Sequence, residues 1–107
     1  MKGPLIALDA LPDGLPQGVH LEDGRALILL RRGDQVLAYL NRCPHRGLEL
    51  DWVPNQFLDP SGRYLQCATH GALFHPEDGR CIQGPCAGRG LERVPVEVEG
   101  DQVWLKE

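Results

Sequence analysis

The chain has 107 residues, 42% of them apolar and 24% charged, with a net charge of −4 near neutral pH. Such a length accommodates one domain and should bury about 65% of its unfolded surface, enough for a modest core without disulfides. The acidic balance argues against nucleic acid as a partner and favours a positively charged protein face. The 13 Gly and 9 Pro predict many turns rather than long helices. The N-terminal apolar run, Leu5 to Leu11, is short and broken by Asp9, which predicts neither a signal peptide nor a membrane span. The expectation is therefore a cytoplasmic protein with no membrane attachment, in which cysteines stay reduced or bind metal.

Residues 4–11 read as a first strand, with Pro12-Asp13-Gly14 and Pro16-Gln17-Gly18 as turns behind it. Ala26 to Arg32 and Gln35 to Leu40 are apolar runs split by Gly33-Asp34, the pattern of a hairpin whose leading Gly suits a type II′ turn. From there to residue 90 the chain holds most of its Pro, Gly, Cys and His and shows little periodicity. Leu48 to Trp52 has room for a single helical turn that Pro54 ends. Pro60-Ser61-Gly62 turns into a short strand, Arg63 to Gln66, which delivers Cys67. Pro76 to Gly79 and Gly84-Pro85 are further turns. Val94, Val96 and Val98 alternate with Pro95, Glu97 and Glu99, the pattern of a half-buried strand, and Gly100-Asp101 leads into a last strand, Gln102 to Lys106. The repeated Gly-Asp-Gln-Val reads as one turn solution used twice. The whole is an all-β single domain over 1–107, with a scaffold of 1–40 and 91–107 and a loop-built subdomain of about 41–90 inserted between them.

The chemistry lies in two short stretches, Cys43-Pro44-His45-Arg46-Gly47-Leu48 and Cys67-Ala68-Thr69-His70-Gly71-Ala72-Leu73-Phe74. Each offers one thiol and one imidazole, and the 21 residues 46–66 separate His45 from Cys67. Residues two apart on an extended segment face the same side, so Cys43 and His45 can project together, and Cys67 and His70 stand about one tight turn apart. Gly47 and Gly71 follow the histidines, where the backbone needs unusual angles or close approach to metal. Backbone N–H groups in such turns can point at coordinated sulfur. Two sulfur and two nitrogen donors suit a mononuclear zinc site, and they equally suit a two-iron cluster with two histidines on one iron.

Together, CPHRGLEL and CATHGALFHPEDGRCIQGP resemble the Rieske iron–sulfur proteins, in which two loops each give one Cys and one His to a [2Fe–2S] cluster. The resemblance runs from Asn41 to about Pro85, and the flanking hairpins suit the family's antiparallel β sandwich or barrel. It implies that Cys43 and Cys67 hold one iron and His45 and His70 the other. It further implies that Gly84-Pro85 belongs to a loop shielding the cluster, and that Arg46, Gly47, Gly71, Ala72 and Phe74 surround it. Two departures from the family pattern matter. The long spacer predicts an extra loop, Asp51 to Gly62, beside the site. High-potential respiratory members carry a disulfide between the ligand loops, at positions held here by Leu48 and Thr69, and Ser and Tyr hydroxyls where this chain has Ala72 and Phe74. The resemblance is therefore closer to the ferredoxin-type members that serve oxygenases and reductases.

Electrostatics gives the same expectation. Two neutral imidazoles in place of thiolates remove two negative charges beside the incoming electron, each worth about 3 kcal/mol at roughly 5 Å and an effective dielectric near 20. That amounts to about 300 mV, the size of the gap between plant-type ferredoxins and Rieske centres. Without the hydroxyls and the disulfide, the potential should lie in the lower part of the Rieske range and below about +100 mV. Reduction should raise the pKa of the free imidazole N–H groups, so the potential falls once these deprotonate in the oxidised form.

The remaining candidates have plainer readings. Cys81 and Cys86 are expected as small, partly buried thiols rather than a disulfide. His75 and His20 read as solvated or structural, and Trp52 and Trp104 as core. Arg42 and Arg46 flank the first loop, where an acidic docking patch would find them. The sequence as a whole describes a one-electron carrier with one [2Fe–2S] cluster and no catalytic machinery of its own. Its partners would be a reductase and a terminal oxygenase or reductase. Two other readings are a small redox subunit of a larger oxidoreductase and a zinc-stabilised interaction module.

Overall fold

In the computed structural model, residues 4–21, 23–42, 50, 56–67, 71–84 and 89–106 are described. They form nine strands: β1 (Ile6–Ala7), β2 (Gln17–His20), β3 (Ala26–Arg32), β4 (Gln35–Leu40), β5 (Leu65–Gln66), β6 (Leu73–Phe74), β7 (Cys81–Gln83), β8 (Val96–Glu99) and β9 (Gln102–Leu105). These make three three-stranded sheets in the orders β1-β9-β8, β2-β3-β4 and β5-β6-β7, with antiparallel neighbours throughout. The first two belong to the expected scaffold. The third lies inside the Cys- and His-rich region, which therefore has a small sheet among its loops.

Two elements differ from the sequence reading. The first strand is only Ile6–Ala7, and the chain then tightens into a 3-10 turn, Leu8–Ala10. Residues three apart in such a turn share a side, so Leu8 and Leu11 are both buried. The Arg31 guanidinium donates to the carbonyls of Leu8 and Leu11 at 3.2 and 3.3 Å and fixes the turn. Nor do Gln17 and Gly18 form a turn. They open β2 and pair with Leu29 and Ile28, because a ready ladder partner outweighs the local turn preference of Gly.

All five residues from Ala26 to Leu30 are buried. Leu27 and Leu29 join Leu8, Leu11, Val36, Ala38, Val94 and Val103 in one core. Ile28 joins Tyr39, Leu50, Phe57, Leu65, Phe74 and Leu91 in the other. The central sheet is thus covered on both faces, which removes the polar alternation a half-exposed strand would show.

Both Gly-Asp hairpins exist, with Arg32 opposite Gln35 and Glu99 opposite Gln102. They are not the same turn, however. At Gly33-Asp34 only the glycine has positive φ, +62°, the sign pattern of type II′. At Gly100-Asp101 both residues have φ of +61°, the pattern of type I′. Asp tolerates the left-handed region better than most residues, so one sequence supports two geometries.

Beyond β4 the chain leaves the scaffold and comes back beside it. Leu40 N–H donates to Glu92 O at 2.8 Å and Val94 N–H to Ala38 O at 2.9 Å. Trp104, expected in the core, is half-buried on β9 and its indole N–H donates to Glu99 O at 3.1 Å. Trp52 lies outside the described residues, as does most of the expected helical turn Leu48 to Trp52.

Candidate metal centre

Strand β5 ends by delivering Cys67, as expected, and only 1% of that residue is exposed. The segment that follows is closed at its base by two backbone bonds: Cys67 N–H donates to Ala72 O at 2.9 Å and Gly71 N–H to Cys67 O at 2.8 Å. Ala72 then leads into β6, and both it and Phe74 are fully buried. Cys67, Ala72 and Phe74 share their core with Leu50, which follows the first Cys-His stretch. The bases of the two stretches therefore meet in one apolar cluster. Cys43, His45, Arg46, Gly47 and His70 lie outside the described residues.

Strand β7 runs back along β6, pairing Phe74 with Cys81 and Leu73 with Gln83 across a bulge. On its other side, Cys81 N–H donates to Arg89 O at 2.9 Å and Leu91 N–H to Gly79 O at 2.8 Å, which ties residues 79–81 to 89–91. Gly84, at φ +107°, leans on Ala72: a Cβ there would stand 2.8 Å from Ala72 Cα and 3.1 Å from its Cβ. Only glycine permits that approach. Gly84 is exposed, and the rest of the loop expected to shield the cluster, Pro85 included, lies outside the described residues.

The buried Cys81 thiol donates to Gln83 O at 3.4 Å; Cys86 lies outside the described residues. His75 is exposed and meets Tyr64 edge-on with ring centroids 5.8 Å apart. His20 is exposed at the end of β2, and Arg42 is exposed at the base of the first stretch. In the expected extra loop, the Asp59 carboxylate accepts from Ser61 Oγ at 2.9 Å and from the N–H groups of Arg63 and Tyr64 at 3.2 Å. Partial desolvation opposes ionisation there, but these donors outweigh it and hold the carboxyl below its ordinary value.

Two side chains that sequence reasoning passed over support the site. Tyr39 is fully buried and its hydroxyl donates to Pro76 O at 2.7 Å, pinning the turn opposite the Cys67 end of the third sheet. Burial pushes its pKa up to about 12; Arg93 and Arg32 lower it, while Asp78 and Glu77 raise it. Asn41, only 5% exposed, accepts from Leu50 N–H at 2.8 Å through Oδ1. A lone Asn or Tyr has no sequence constellation that would single it out.

A buried thiol at a strand end, apolar walls and a glycine-closed neighbouring loop fit a metal cluster with sulfur on its protected side. The Rieske [2Fe–2S] domain family matches residues 2–100, so the chain belongs to that family and carries one [2Fe–2S] cluster. Among solved structures, a Sphingomonas yanoikuyae B1 ferredoxin superposes with a TM-score of 0.77 and 25% identity, covering 100% of this chain and 99% of that one. The complex of reduced oxygenase and oxidized ferredoxin in carbazole 1,9a-dioxygenase matches with a TM-score of 0.75 and 26% identity, over 97% of this chain and 100% of that one. In sequence, the oxygenase component of chloroacetanilide N-alkylformylase from Rhizorhabdus wittichii is 44% identical over 78 residues, 72% of this chain. The match spans only 20% of that relative's length. Among the described residues no helix is long and apolar enough to cross a membrane.

Proposed function

We propose that the chain is a one-electron carrier working in the cytoplasm, taking electrons from a reductase and passing them to a terminal oxygenase or reductase. The observation that supports this most is the end-to-end overlay on a ferredoxin, with 100% of this chain and 99% of the other covered. When bound, the [2Fe–2S] cluster supplies a centre that accepts and gives up single electrons. Cys43 and Cys67 would hold one iron and His45 and His70 the other. Ala72, Phe74 and Leu50 wall the Cys67 side in apolar surface, and Gly84 packs directly on Ala72. With Ala72 and Phe74 in place of hydroxyl-bearing side chains, no side-chain O–H from these positions donates to cluster sulfur. The potential stays low in the Rieske range.

The test is purification, metal and sulfide analysis, and electron paramagnetic resonance of the reduced protein, followed by turnover with a reductase and a Rieske oxygenase. A coloured protein with two irons and two sulfides that speeds oxygenase turnover supports the reading. A lone zinc, or a midpoint above about +100 mV, overturns it. The 44% identity to an oxygenase component favours a second reading, in which the cluster is fixed within a larger oxidoreductase. Stable copurification with such an enzyme would select it over the diffusing carrier.

A further inference from the structure

Among the described residues, Asn41 is the one buried residue classed as polar or charged. It stands where the chain leaves the central sheet. Its backbone N–H donates to Ala26 O on β3 at 2.8 Å, and Arg42 N–H turns back to Leu40 O at 2.8 Å. From this anchored position Oδ1 accepts from the N–H of Leu50, a residue with no exposed surface. The segment between the bonded residues, 42–49, contains Cys43 and His45. Without that acceptor, a buried N–H would be left without this partner. If packing alone mattered, an apolar residue would fill the place at lower desolvation cost. A carboxylate would accept the same bond but set a negative charge beside a centre that must take up an electron.

We propose that Asn41 is a positioning residue for the cluster: by tying the two ends of the segment that bears Cys43 and His45, it sets how firmly that segment holds iron and at what potential. This rests on the reading of Cys43 and His45 as ligands. Asn41→Leu and Asn41→Ser both remove the acceptor, one with apolar bulk and one without, while Asn41→Asp keeps an acceptor oxygen on the same stem. Each is compared with the parent for iron release to a chelator, midpoint potential by voltammetry, and the resonance spectrum of the reduced protein. N41L and N41S should release iron on the order of tenfold faster, with displaced or broadened resonances. N41D should restore release to within about threefold of the parent while its potential falls. Unchanged release in N41L and N41S overturns the proposal. So does a lowered melting temperature in all three with potential and resonance unmoved, since that is a packing effect only. Cys43→Ser separates the two readings: if it keeps a full cluster, the ligand assignment itself fails and this proposal with it.

Discussion

On one face of the β2-β3-β4 sheet, Leu27, Leu29, Val36 and Ala38 meet Leu8, Leu11, Val94 and Val103. On the other, Ile28 and Tyr39 meet Leu50, Phe57, Phe74 and Leu91, with the thiols of Cys67 and Cys81 among them. The first face has aliphatic burial and ladders of four to seven residues in β2, β3, β4, β8 and β9. The second is closed by strands of two and three residues. Its order comes from particular contacts: Tyr39 on Pro76 O, Asn41 on Leu50 N–H, and Gly84 against Ala72. A core of the first kind should fold without metal, whereas the second, with fewer ladder bonds, should gain more from a bound cluster.

The largest break in that contrast should come from Leu29→Ala. It removes fully buried methyl groups from the scaffold core and should cost about 2–5 kcal/mol in denaturant unfolding. The resonance spectrum and potential of the folded fraction should not move. Gly84→Ala should do the reverse. Its Cβ would meet Ala72 backbone at 2.8 Å and sit at φ +107°, an overpacking cost on the order of 1–3 kcal/mol. The loss should register as faster iron release, with scaffold unfolding of the apoprotein little changed.

Tyr39 stands on the scaffold strand β4 and reaches Pro76 on the second side, so Tyr39→Phe tests how the two are coupled. Loss of its hydroxyl leaves Pro76 O without this donor and should cost about 1–2 kcal/mol at neutral pH. The parent also has a pH signature. Its phenol, raised by burial to about 12 from 10.0, stays protonated in the folded state while the unfolded state lets its proton go. The stabilisation is complete below pH 10 and is lost as pH rises through about 12. The phenylalanine variant should lack that part of the alkaline decline in urea titrations. A smaller effect is expected from Ala72→Ser, which offers a hydroxyl donor beside the cluster. Voltammetry should show a rise on the order of 65–130 mV, the upper value of one charge-assisted hydrogen bond for a single electron. No rise would mean that Ser at this position does not reach sulfur.

The same contrast decides what was legible in advance. Strands β3, β4, β8 and β9 stood out because long apolar runs and Gly-Asp turns are local signals. The start of β2, Gln17 and Gly18, reads as a turn because Pro16 and Gly18 speak for one until Leu29 and Ile28 are there to pair with. Strands β6 and β7 are too short for any period to show. In the site, the Cys-His spacing and Gly84 announced themselves as residue types. The contact that makes Gly84 necessary joins residues 72 and 84, and the Asn41 bond spans 41 to 50. Such links exist only once the chain has folded. Net charge is likewise a sum without positions: it totals −4 for the whole chain and does not tell that Arg42 is exposed at the base of the first stretch.

The backbone bonds between Leu40 and Glu92 and between Val94 and Ala38 have an architectural result. They set the two stalks of everything in between on neighbouring rungs of one ladder, about 5 Å apart. Spacers within that span, such as the long one before Cys67, can lengthen or shrink without pulling the stalks out of register. A redox head mounted this way can be remodelled for a new partner while its pedestal stays the same.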